Sequence, residues 1–330
     1  MQMELTYRWA DQVDTEKIKW FLVENFGERS IQAAPGRFEA LFLNHPRGFH
    51  IALCMDQDEI VGLRCYLPVH MHCGSELRTA AYPIDTMVKS DYRRQGIGSG
   101  FLTKAWERFT LIVSTGQSEA QANLYKKKGA AIIAGYQEGL LVRRPALHGS
   151  AKAIARDLFS WLRWIGSPKV RGQFQRVAAE EAVAQAKLFP RRFDHEEVGN
   201  AIEPPDFLWR YDGTFYNRYD FALLATGKHE GILVYKQTDT ESKIIDLICP
   251  TPSIATLLRI AALELPGPRV TALFAGDLLA TWFAEAGFLI RPRGARLVLY
   301  SSEPALQREM TRRNWVVLAG DSDTELMAFP

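Results

Sequence analysis

The 330-residue chain repeats itself once. Phe38, Gly62 and Tyr66 recur as Phe207, Gly231 and Tyr235 at one constant spacing. Ile84-Asp85 recurs as Ile245-Asp246 at a shorter spacing, and Tyr125 and Gly129 as Phe283 and Gly287 at one shorter still. A spacing that shrinks along the chain is what small loop deletions leave when the elements between them are kept. Two copies of one fold are expected, each near the usual size of a domain. They divide the chain into a first copy over 1–145, a helical connector over 146–172, and a second copy over 173–330.

Each copy reads as α+β, a mixed, mostly antiparallel sheet flanked by helices. Asp14-Thr15-Glu16 opens an amphipathic helix that ends near Gly27. His50–Cys54 and Ile60–Tyr66 flank a polar turn and predict a hairpin, which Val69–Cys73 and Arg78–Val88 extend. A helix over Ser99–Phe109, a strand over Leu111–Ser114 and a helix over Ser118–Lys128 closed by Gly129 follow. In the connector, Ile154, Leu158, Trp161, Leu162 and Ile165 stand at helical spacing among Arg156 and Arg163. Such a basic, Trp-bearing helix can lie on a membrane surface; packing between domains is the preferred expectation.

Composition excludes several classes. At 47% hydrophobic and 24% charged the chain is neither disordered nor fibrous. Forty Lys+Arg against 38 Asp+Glu gives +2, which argues against a nucleic-acid partner. No apolar run is long enough to span a bilayer, so no integral membrane segment is expected. Glu4, Asp11, Asp14 and Glu16 stand where a signal peptide needs an apolar stretch. Four scattered cysteines make no disulfide framework, and a cytoplasmic location is the expectation.

The segment from Met87 to Gly100 carries the chemistry. A strand runs into a basic loop, Arg93-Arg94-Gln95-Gly96-Ile97-Gly98-Ser99, that opens a helix. Glycines at 96 and 98 allow positive φ and close approach of a ligand to the backbone. The loop and the first helical turn present N–H groups from Arg94 to Ser99 at the positive end of a helix, which suits a phosphate or pyrophosphate. A Walker loop is excluded because no Gly-Lys-Ser/Thr follows, and the dinucleotide fingerprint because it needs three glycines in a βαβ unit.

Arg93-x-x-Gly96-x-Gly98, preceded by Met87-Val88, resembles the acetyl-CoA signature of the GNAT (Gcn5-related) N-acetyltransferase superfamily. The segment from Ser118 through Asn123, Leu124 and Tyr125 to Gly129-Ala130 resembles that family's second cofactor segment. The resemblance covers roughly residues 1–145. It implies that N–H groups from Arg94 to Ser99 hold the CoA pyrophosphate, with Arg93, Ser118 and Asn123 also at the cofactor. Met87 and Val88 would bond the pantetheine arm at the end of a strand that splays from its neighbour, and Tyr125 stands at the position of the family's usual general acid. Ser118 departs from the usual Asn and Ala130 from the usual Phe, so the resemblance leaves the side-chain contacts to the pantetheine there open.

The reaction asks for the same parts. An amine attacking a thioester passes through an oxyanion that strand-end N–H groups such as that of Val88 can stabilise. The leaving thiolate needs a proton, which a phenol can supply. Asp85, on the strand entering the loop, is the leading base candidate; its repeat partner Asp246 supports a purely structural role instead. Glu24 and Glu28 are weaker acceptor-site candidates. His70, His72 and Cys73 alternate across a strand and cannot all point one way, so no metal is expected.

At the position of the loop the second copy reads Thr251-Pro252-Ser253-Ile254, without glycine or a basic pair, and Phe283 replaces the tyrosine. Pro252 removes a donor. The second copy is therefore expected not to bind CoA. Trp209, Tyr211, Phe215, Tyr216 and Tyr219 cluster in sequence, with packing as their expected use and sugar stacking as the alternative. Taken together the sequence predicts acetyl transfer from acetyl-CoA, or another short acyl-CoA, to a small-molecule primary amine by direct attack in a ternary complex. Phe38–Tyr66 and the segment from Phe207 resemble sugar-modifying members of bacterial polysaccharide clusters, which implies an amino sugar. The alternatives are a non-catalytic acyl-CoA-binding module and a tandem-GNAT aminoacyl transferase using charged tRNA.

Overall fold

The structure is a computed structural model that describes residues 4–115, 119–145, 150–186, 188, 193, 196–211 and 219–321. The first copy comprises β1 (Leu5–Trp9), α1 (Thr15–Phe26), β2 (Ile51–Asp56), β3 (Glu59–Cys73), β4 (Glu76–Val88), α2 (Ile97–Ala105), β5 (Leu111–Ser114), α3 (Glu119–Lys127) and β6 (Ala131–Val142). After α4 (Ala151–Gly166) the second copy runs β7 (Gln173–Val177), α5 (Ala179–Ala186), β8 (Glu197–Ala201), α6 (Pro204–Tyr211), β9 (Asp220–Thr226), β10 (His229–Gln237), β11 (Ser242–Ile248), α7 (Ile254–Glu264), β12 (Arg269–Ala275), α8 (Asp277–Glu285) and β13 (Leu289–Ser301). A short helix, α9 (Pro304–Met310), follows.

Local sequence explains the boundaries. Asp11 and Asp14 form a capping box around a single turn before α1, so Asp14 itself accepts from Arg8 rather than capping α1. α1 buries Ile18, Phe21 and Leu22 and stops at Gly27, whose φ of 92° is open to glycine. α3 closes at Gly129 and its counterpart α8 at Gly287, with φ of 82° and 95°. Gly62 and Gly231 have the same purpose in both copies. A Cβ at Gly62 would lie 3.3 Å from the Phe101 ring of α2, and one at Gly231 2.9 Å from Leu257 of α7, so each glycine lets a helix settle on its strand.

The two copies do not form separate domains divided at residue 145. One sheet runs β1-β2-β3-β4-β5-β13-β6-β12-β11-β10-β9-β7. β4 and β5 are parallel, as are β11 and β12. The strand next to β5 is β13 of the second copy, and the strand next to β12 is β6 of the first. The copies have exchanged their last strands, which pair with each other at the centre of the sheet. The core follows the exchange. Ile18, Phe21 and Leu22 of α1 share a cluster with Leu297, Leu299, Leu306, Met310 and Trp315. On the opposite face Ala52, Cys54, Val61 and Tyr66 meet Phe101, Leu102 and Tyr125 of α2 and α3, as the alternation of strand side chains requires.

α4 corrects a second expectation. Of its apolar stripe, Leu158, Leu162 and Ile165 are exposed, while Ile154 and Trp161 are half-buried. Asp157 and Ser160 face the protein instead: Asp157 pairs with Arg156 (2.7 Å) and with Arg269, and the Ser160 hydroxyl donates to the Leu140 carbonyl (2.9 Å). In the aromatic cluster, Trp209 donates to the Ala40 carbonyl (2.6 Å) and Tyr211 to Asp246 (2.7 Å), so both are structural. Phe215 and Tyr216 lie outside the described residues. Among the described residues no helix is long and apolar enough to cross a membrane.

Candidate active site

β4 pairs with β5 only at Ala80 and Ala81. Beyond Ala81, β4 has no strand partner on that side among the described residues, and the two strands diverge. A β-bulge drives the divergence. Leu63 pairs with Met87 and Cys65 with Ile84, so Asp85 and Thr86 together oppose Arg64. Asp85 takes φ of 44°, and a bulge of this kind bends its strand. The second copy has a bulge one residue away, where Ile245 of β11 is the extra residue between Asp246, opposite Val234, and Ile244, opposite Tyr235.

A cavity of about 740 Å³ opens at the divergence. Thr86 and Val88 of β4, the loop residues Arg93, Arg94, Gly96, Ile97, Gly98 and Ser99, and Asn123, Leu124 and Lys127 of α3 line it, with Arg64. Its four cations, Arg64, Arg93, Arg94 and Lys127, face no lining carboxylate. Arg94 and Gly96 hold φ of 67° and 82°. Ser99 and Gly100 turn their N–H groups back to the Gly96 carbonyl (2.9 and 3.2 Å). The N–H groups of Arg94 to Gly98 have no carbonyl partner among the described residues. Consecutive backbone donors in such a turn, at the start of a helix, form an anion cradle.

Several expectations about this loop change. Ser99's N–H is spent within the helix. Gln95 turns its side chain to the Asp91 carbonyl (3.0 Å) and lines no cavity wall. Arg93 donates through Nε to the Val88 carbonyl (3.1 Å). Met87 packs its side chain on the α1 side of the sheet. Gly98 is required by packing: a Cβ there would lie 2.9 Å from Leu124 of α3, so it permits the close approach of α2 to α3. Ser118 lies outside the described residues.

Asp85 is placed against its expected role as base. Its carboxylate is buried, accepts from Arg37 at 2.6 Å and from Gln32 at 3.1 Å, and both partners of the ion pair have no exposed side-chain surface. A carboxylate engaged at both oxygens would have to break a buried ion pair to take a proton. The pair instead ties the segment after α1 to the bulge. Glu24 is partly exposed beside Lys89 (3.7 Å), and Glu28 is exposed. His70 lies against Arg47 (2.7 Å) and His72 against the Phe193 ring.

Tyr125 is buried at 1% exposure, and its hydroxyl oxygen accepts from Nη2 of Arg64. Arg64 is itself buried, its guanidinium lying 5.6 Å from the Tyr66 ring centre and 5.5 Å from that of Tyr125. Its Nε has no hydrogen-bond partner among the described residues. Arg64 thus stands between Tyr125 and the cavity, which Tyr125 does not itself line. Sequence reasoning missed Arg64, although a lone charge in the apolar run Ile60–Leu67 was a visible signal. In the second copy, Phe283 stacks on Phe274 at 4.5 Å and 6° where Tyr125 stands in the first, and Thr251 and Ser253 are buried beside Pro252.

No protein-family model and no curated protein matches the chain. Solved structures do. A conserved protein of unknown function from Enterococcus faecalis, described as a probable N-acyltransferase, superposes with a TM-score of 0.64 at 13% identity, covering 92% of this chain and 74% of that one. A GCN5-related N-acetyltransferase from Anabaena variabilis gives 0.58 at 13% identity over 92% and 74%. Eis1 from Mycobacterium abscessus gives 0.57 at 10% identity over 90% and 73%. The chain has the α+β fold of the GNAT acetyltransferases, in tandem.

Proposed function

We propose that the protein is an acyl-CoA-dependent N-acyltransferase whose first copy does the chemistry on a small-molecule amine. The carrying observation is the cation-lined cavity where β4 and β5 diverge, floored by the donor loop and backed by Arg64 and Tyr125. The N–H groups of Arg94 to Gly98 suit the CoA pyrophosphate, with Arg93, Arg94 and Lys127 balancing its charge. The free edge of β4 at Thr86–Val88 suits the pantetheine arm. Acetyl-CoA or another short acyl-CoA is the donor.

The amine, as its free base, attacks the thioester carbonyl, forming a C–N bond and an oxyanion. The C–S bond then breaks, and the CoA thiolate takes the Tyr125 proton by way of a water beside Arg64, since Tyr125 does not itself line the cavity. Arg64 stabilises the negative charge left on the phenol oxygen until solvent reprotonates it. With Asp85 committed to Arg37, the proton of the attacking amine leaves to water.

A second cavity of about 420 Å³, bordered by Thr115 just after β5, is the proposed acceptor site. Glu138 and Glu241 line it beside Lys243 and Arg293. Glu138 already pairs with Arg293 (2.7 Å) and Arg291. Balanced charges suit a hydroxyl-rich amine such as an amino sugar better than a polycation. The four cysteines are free and buried, which supports a reducing compartment such as the cytoplasm.

The screening of Tyr125 behind Arg64 favours one second reading, an acyl-CoA-binding module without turnover. Calorimetry with acetyl-CoA gives binding in both cases. Release of free CoA thiol across an amine panel that includes amino sugars supports the enzyme; binding without release across the panel supports the module.

A further inference from the structure

Helix α4 is inverted. Its polar residues Asp157 and Ser160 are buried, while Leu158, Phe159, Leu162 and Ile165 are 37%, 53%, 59% and 49% exposed. At about 100° per residue these four side chains fall on one face of the helix. Along the edge of that face next to Phe159 run Lys152 and Arg163, with Arg156 beyond them turned to the buried Asp157. Across 143–171 the chain carries Arg143, Arg144, Lys152, Arg156, Arg163, Lys169 and Arg171 against one carboxylate, Asp157, which is buried in ion pairs with Arg156 and Arg269.

A helix that served only to join the two copies would turn its apolar side inward. Here the inward side is held by the Ser160 bonds to β6 and by the Asp157 pairs, and the apolar side is left outward. We propose that α4 is an interfacial helix that seats this face on an anionic lipid surface. The lipid interface takes the four apolar side chains, and its headgroup phosphates take the basic edge. A second copy of the chain fits less well, because a two-fold contact would bring the same excess of cations face to face. With 16 residues and three cations of its own, α4 lies on a bilayer and does not cross it.

The test is co-sedimentation of the full chain with vesicles of phosphatidylcholine, alone or with about 30 mol % phosphatidylglycerol. The account predicts binding to the anionic vesicles at least about tenfold tighter than to the neutral ones, and release at about 0.5 M salt. Phe159→Ser with Leu162→Ser, shown folded by circular dichroism, should weaken binding to the anionic vesicles about tenfold or more. Lys152→Glu with Arg163→Glu should remove the preference for phosphatidylglycerol. A wild-type protein that stays in the supernatant with anionic vesicles overturns the proposal, as does binding untouched by both variants. A dimer in sedimentation velocity that Phe159→Ser/Leu162→Ser dissociates assigns the face to a second copy and also overturns it.

Discussion

The guanidinium of Arg64, on β3, donates to the hydroxyl oxygen of Tyr125, on α3, at the inner wall of the cation-lined cavity. The contact spans the strand and the helix that flank the proposed thioester site. If Arg64 stabilises charge on the phenol oxygen, Arg64→Met should lower kcat by about one to two orders of magnitude. Arg64→Lys, which keeps the charge and one donor, should recover part of the loss. Steady-state kinetics on the two variants checks this, and equal kcat for Met and Lys would assign Arg64 to packing.

The Arg37–Asp85 pair makes a different prediction. Both side chains are fully buried, so Arg37→Met, which leaves Asp85 unpaired, should cost about 3–5 kcal/mol in urea melts. The double variant Arg37→Met/Asp85→Leu should regain most of it. Asp85→Asn should keep turnover within about threefold in the folded protein, against the 10²-fold or larger loss expected of a general base. A loss of that size would restore Asp85 as the base.

His45 makes stability depend on pH. Burial, with Arg210, His50 and Arg47 nearby, pushes its imidazole down to about 3. Nδ1 accepts from the Arg47 N–H at 3.1 Å, and the ring lies tilted by 55° with its centre 4.1 Å from that of Trp209. Above about pH 6.5 folded and unfolded chains are both neutral here. Below it the unfolded chain binds a proton that the folded one refuses until about pH 3, so stability falls as the pH drops. The loss from this group should reach about 2 kcal/mol by pH 5. Urea melts across that range should be flatter for His45→Asn, and an unchanged slope would contradict the assignment.

The strand exchange predicts that residues 1–145 do not fold alone. Without β12 and β13, β6 would lose the neighbour on each side, and α1 would lose Leu297, Leu299 and Trp315 from its core. Expressed as a fragment, this half should lack a cooperative melt, whereas a cooperative, monomeric fragment would contradict the exchange.

That exchange marks where sequence reading stops. The glycine loop, the stops at Gly27 and Gly129 and the hairpins were legible because each rests on a few adjacent residues. Whether β6 returns to its own sheet or crosses to its twin is not encoded locally, because Ala131–Val142 has the same apolar character against either neighbour. Asp85 looked like a base because its strand position was readable and its bulge was not. The extra residue that turns its carboxylate onto Arg37 appears only once β3 and β4 are paired. The connector's spacing specifies a helix, but its outward facing depends on Ser160 and Asp157 finding partners on β6 and β12.

The most direct test compares wild type with Tyr125→Phe, measuring free CoA thiol release from acetyl-CoA across the amine panel, with CoA affinity measured on the same samples. The account predicts unchanged CoA affinity and release reduced by about 10²-fold or more. Release at the wild-type rate in Tyr125→Phe would remove Tyr125 as the proton donor and with it the proposed mechanism.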